Sequence, residues 1–129
     1  MKHNYILTSF ADPADIEAYR LARERGATEQ EALAVGDNGV GQWGANTAQE
    51  DVPMAALHAD DLIARWGSVD AAAHKRIRVT RRGATVECLI EDRCGVRGRV
   101  DLNPAALLRL ELRPPVWCHA DWDWAPGQD

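Results

Sequence analysis

The sequence predicts an α+β fold, mainly β, in which short strands enclose one core and short helices pack around them. Three observations carry this. From Lys75 onward apolar residues recur with period two, so that Ile77 and Val79, then Val86, Cys88 and Ile90, share one face of a strand pair. Compact helix starts punctuate the chain at Asp12-Pro13, Thr28 to Glu31 and Asn103-Pro104. Finally, 129 residues with 46% hydrophobic and 27% charged content suit one domain with a single core.

Each element follows from local chemistry. Within residues 1–11, Tyr5-Ile6-Leu7 suits a short strand or an ordered arm. Asp12 can cap a helix with Pro13 in its first turn, running to about Arg25 and stopped by Gly26. Thr28 and Glu31 form a capping box for a second short helix to about Val35. These two helices make a hairpin accessory to the rest. Four glycines in the segment from Gly36 to Gly44 demand unusual backbone angles or close approach. That segment lacks the Lys-Ser/Thr ending and the preceding strand of a phosphate loop. Residues 45–53 read as loop, Asp60 to Trp66 as a helix closed by Gly67, and Ser68 to about His74 as another helical turn. A β-hairpin turns at Arg82-Gly83, and residues 92–99 read as a loop. Val100 to Leu102 is a strand, Asn103-Pro104 caps a helix through Leu110, and Val116 to Trp124 is the last strand. Three segments result: an N-terminal helical extension over 1–35, a strand-bearing domain over 36–124, which the resemblance given below makes a barrel, and a loose tail over 125–129.

Charge and composition narrow the function. A net charge of −5, with no basic run beyond Lys75–Arg82, argues against a general nucleic-acid binder. No stretch approaches the ~20 apolar residues of a membrane span, so membrane insertion is not expected. The first twenty residues lack the apolar core and cleavage site of a signal peptide. The chain as written therefore reads as cytoplasmic, with action outside the cytoplasm requiring another delivery route. Cys88, Cys94 and Cys118 cannot all pair and form no CxxC, which disfavours a disulfide scaffold. Cys94, flanked by arginines, is a candidate for a lowered thiol pKa. His58-Ala59-Asp60 and His119-Ala120-Asp121 lack a third convergent ligand for zinc, so neither metal nor cofactor is expected.

The order of hairpin, loop, Asp-Leu strand, capped helix and final strand resembles the barrels of the rare lipoprotein A (RlpA-like), expansin and barwin group. The residues that carry the resemblance are Arg78-Val79-Thr80, Val86 to Arg93, and Gly98 to Ala106. It implies a six-stranded double-psi β-barrel with short helices and an N-terminal helical hairpin. By matching to that group, Asp92 corresponds to the loop Asp of its peptidoglycan-cleaving lytic transglycosylases. Asp101 corresponds to the acid of expansins and related endoglucanases, and His58 more weakly to an early His. The chain departs from the group in its loop, Asp92-Arg93-Cys94-Gly95, which has no Pro, and in Arg99 where the expansin segment carries His.

Glycan cleavage needs a carboxylic acid near the glycosidic oxygen, and a hydrolase ordinarily needs a second carboxylate. The catalytic candidates are thus Asp92, as acid/base, and Asp101, as its support. His58, Asp37 and Trp43 are candidate substrate contacts, with Trp43 stacking on a sugar ring. Each also suits a structural task. Asp92 could pair with Arg93 or Arg97, Asp101 could brace the following helix, and Trp43 could close a barrel turn. Two functions stay open: a barrel that binds and cleaves peptidoglycan glycan strands, or a non-catalytic interaction module, of a phage or mobile element, docking by its helical hairpin. The partner is accordingly cell-wall glycan or another protein, and the oligomeric state is open.

Overall fold

The computed structural model describes residues 1–129. Its six strands close into a barrel in the order β1-β5-β2-β4-β3-β6. They are β1 (Lys2–Ser9), β2 (Met54–His58), β3 (Arg76–Arg81), β4 (Ala84–Cys94), β5 (Arg99–Leu102) and β6 (Trp117–Trp124). Four short helices accompany them: α1 (Pro13–Glu24), α2 (Glu29–Leu33), α3 (Ala59–Trp66) and α4 (Pro104–Arg109). Strands β1 and β5 run parallel, as do β2 and β4, while the other four pairings are antiparallel. Parallel neighbours need long crossovers, and here these crossovers carry the helices. The fold is the α+β, six-stranded double-psi barrel that the sequence predicts.

Local rules account for much of it. Arg82 and Gly83 both have positive φ, 49° and 81°, which matches the twist of a tight β3–β4 hairpin. Asp12 caps α1, Thr28 and Glu31 form the capping box of α2, and Asn103 caps α4. Inward-facing Leu7, Leu57, Ile77, Val79, Ile90, Val100, Leu102 and Trp122 are fully buried in one core. Tyr5 and Trp124 meet the Trp122 ring edge-on at 5.5 and 5.3 Å. No helix is long and apolar enough to cross a membrane.

Four features differ from expectation. Residues 2–9 are not an arm: β1 lies between β5 and β6, so the barrel begins before residue 36. Met54–His58 is a strand, β2, that was not expected. Its small alanines carry little strand propensity, but it is sandwiched between β5 and β4 with Met54 to Leu57 all buried. Strand β4 runs on through Cys94, because parallel pairing with β2 extends the ladder; Asp92 and Arg93 are strand residues, not loop residues. The C-terminal residues are tied down rather than loose. The Gln128 side chain accepts from the Arg76 amide at 2.6 Å and donates to the Arg76 and Ala125 carbonyls at 2.8 Å.

Candidate active site

Register places the site. Asp92 pairs with Ala56, Ala56 with Asp101, Asp101 with Thr8, and Thr8 with Trp117. Directly paired residues share a face of a sheet. The neighbours of this row, Ile90, Ala55, Leu57, Val100, Leu102 and Leu7, all point into the core. Thr8, Asp101, Ala56 and Asp92 therefore form one lateral row on the outer face of the barrel.

Asp92 joins the row through a bulge. Ala55 pairs with Ile90, but Ala56 pairs with Asp92, so Glu91 is one residue extra in β4. Without it, alternation from buried Ile90 would turn Asp92 inward. Glu91 itself is only 3% exposed. Its carboxylate is held by His74 Nδ1 at 2.6 and 2.9 Å, and its carbonyl accepts the Gln42 amide at 3.0 Å. Gly41 passes directly over that carbonyl, where a Cβ would collide with it.

A roof covers part of the row. After β1 the chain turns at Ala11, with φ 57°, and sets the first turn of α1 beside it. Phe10, Ala11 and Ala56 form a small buried cluster there, apart from the main core. The Asp12 carboxylate accepts from the Asp15 amide at 3.0 Å, and the Asp15 carbonyl accepts from the Asp37 amide at 3.1 Å. Gly36 packs against the backbone of Asp15 and Tyr19, which brings the glycine-rich segment onto α1.

The outcome is a group of partly buried carboxylates. Asp101 accepts a hydrogen bond from the Thr8 hydroxyl. Burial pushes its carboxyl up to about 7; Arg99 opposes the rise, and Asp92, Asp15 and Asp37 add to it. Asp15 is raised to about 6 by burial, then by Asp12 and Asp37. Burial also raises Asp92, against the Arg93 amide that donates to it at 2.9 Å, and raises Asp37. A cleft of about 280 Å³ opens beside Asp92 and Asp37, lined also by Asn38, Gln42 and Arg93. A second, of about 360 Å³, lies between Asp12–Asp15 and Pro114-Pro115. A carboxylic acid whose carboxyl is raised to about 7, beside other ionisable groups, can donate a proton to a bound substrate.

In fold, the chain is similar to Streptomyces papain inhibitor (SPI). That solved structure superposes with a TM-score of 0.52 at 18% identity, over 95% of this chain and 90% of that one. No protein-family profile and no curated protein sequence matches the chain.

Of the residues singled out from sequence, Asp92, Asp101 and Asp37 come together here. His58 and Trp43 do not join the row. His58 ends β2 and caps α3, its Nδ1 accepting from the Asp60 amide at 3.0 Å. Trp43 donates through Nε1 to Asp70 at 3.0 Å and packs edge-on against His74 at 6.2 Å, bracing the glycine-rich segment. Cys94 is not activated by its arginines: burial pushes its thiol up to about 11, and Sγ donates to the Val96 carbonyl. Nor do any three His, Cys, Asp or Glu side chains converge to ligate a metal. Sequence reasoning missed Thr8, Asp12, Asp15 and Arg99. Asp12 reads as an ordinary helix cap, and nothing local says that its helix lands beside Asp101.

Proposed function

We propose that this barrel binds and cleaves glycan strands of the peptidoglycan type, with Asp101 as the proton donor. One observation carries the reading: Asp101 is a half-buried acid on an outer strand face, its carboxyl raised to about 7 and coupled to a second carboxylate, Asp92. The roles thus shift from those that the resemblance implies, with Asp101 as the acid and Asp92 supporting it. Asp101 gives its proton to the glycosidic oxygen as the bond to the anomeric carbon breaks. The sugar's own hydroxyl then forms the new bond to that carbon, and its proton returns to the Asp101 carboxylate. Asp92 favours the positive charge that develops at the anomeric centre. Incubation with purified peptidoglycan, followed by analysis of released fragments, tests this. Fragments should appear with the native protein and vanish with Asp101→Asn; no release by the native protein overturns cleavage.

A non-catalytic interaction barrel is the second reading. Leu33, Val35 and Val40 favour it, being exposed together along the end of α2 and the segment after it. The fold-level neighbour is by name a papain inhibitor, so papain is a ready probe. Inhibition of papain that is lost on replacing those three residues with Ser would support this reading over the first.

A further inference from the structure

The row continues two strands beyond the acid to Trp117, which joins neither buried cluster. Trp117 pairs with Thr8 on β6 and is 67% exposed, more than any other large apolar side chain. The remaining four tryptophans pack at the core or its edge. Beside Trp117 lies Arg99, its guanidinium 5.1 Å from the ring centroid. Arg99 sits two residues before Asp101 on β5, so its side chain leaves the same face. It makes no salt bridge with any carboxylate, while Arg20, Arg76, Arg78 and Arg97 all do. Its Nε is buried and has no hydrogen-bond partner in the protein. A buried donor left unmatched costs stability, and a ligand carboxylate beside the guanidinium would offset that cost.

We infer that Trp117 and Arg99 form a subsite for a sugar ring bearing a carboxylate, next to the acid at Asp101. The indole face suits the apolar C–H face of a pyranose. A guanidinium presents parallel donors that match a carboxylate in two bonds. The two side chains thus recognise ring and charge separately. Asp101 lies two strands from Trp117, about 10 Å between α-carbons at normal strand spacing. This inference rests on the glycan reading above and specifies the substrate as an acidic polysaccharide.

The test uses oligogalacturonate and its fully methyl-esterified form as probes, with binding followed by calorimetry. The native protein should bind the acid form at least about tenfold more tightly than the ester, the worth of one charged two-bond contact. Arg99→Gln should erase that preference, and Trp117→Ala should weaken both probes alike. Thermal melting of both variants checks folding, and Arg99→Lys should restore only part of the preference, since a lysine lacks the planar fork. Equal binding of acid and ester, binding of neither, or a preference that survives Arg99→Gln overturns the subsite. Selective binding with no Asp101-dependent cleavage of peptidoglycan overturns the cleavage reading alone.

Discussion

The buried carboxyl of Asp101 gives this protein a pH behaviour with a definite sign. Unfolded, its carboxyl ionises near its ordinary value of about 4; folded, it holds its proton to about 7. Between those limits the native state binds more protons than the unfolded state, so stability falls as pH rises. Asp15, raised to about 6, adds to the same slope. Chemical denaturation from pH 4 to 8 should show this decline, up to about 4 kcal/mol from Asp101 at most, and Asp101→Asn should flatten it. The same variant should lower glycan cleavage by about 10²–10⁴-fold. Cleavage by the native protein should fall above about pH 7 as the acid ionises. Because Asp92 raises Asp101, Asp92→Asn should move that fall to lower pH, as read from a pH–rate profile.

At the scale of elements, two backbone features hold the site. Asn103 is fully buried, and its cap on α4 is only one of four bonds. Its Oδ1 also accepts the Met54 amide at 2.8 Å, and its Nδ2 donates to the Thr47 and Val52 carbonyls at 3.1 Å. It ties β2, α4 and the loop before β2 into one unit. Asn103→Ala should therefore cost about 2–4 kcal/mol, more than a simple cap, because several buried groups lose partners; urea denaturation measures it. Gly41 is the other feature, pressed over the bulge at Glu91. Gly41→Ala should cost about 2 kcal/mol or more and weaken cleavage by disturbing Asp92, whereas Gly44→Ala meets no atom within 4 Å. The strain at Gly44, with φ 91°, should then appear in stability without the loss of activity.

Across the whole molecule, the barrel depends on its first nine residues. Strand β1 bridges β5 and β6, and without it the barrel has two open edges. Deleting residues 1–35 should leave a chain without cooperative thermal unfolding, measured by circular dichroism. Replacing Leu33, Val35 and Val40 by Ser, all exposed, should leave the melting curve within about 0.5 kcal/mol of native. The two outcomes together separate the part of the N-terminal region that builds the barrel from the part that only covers it.

Local chemistry made several elements legible. Capping residues, a positive-φ turn and period-two alternation act over a few residues, so Asp12, Thr28, Arg82-Gly83 and Asn103 announce their elements. The resemblance in the Asp-Leu strand and capped helix pointed to the closed form of the barrel. Strand β2 was illegible, since Ala55 and Ala56 become strand only when β4 and β5 supply partners on both sides. The same holds for the site. Sequence singled out Asp92, Asp101 and Asp37 as acids, but not which of them keeps its proton. That depends on the bulge at Glu91, the landing of α1 beside Asp101, and strand registers between residues far apart in the chain. Local propensities act between chain neighbours and can be read in order; burial and charge coupling act across space, and only the closed barrel decides them.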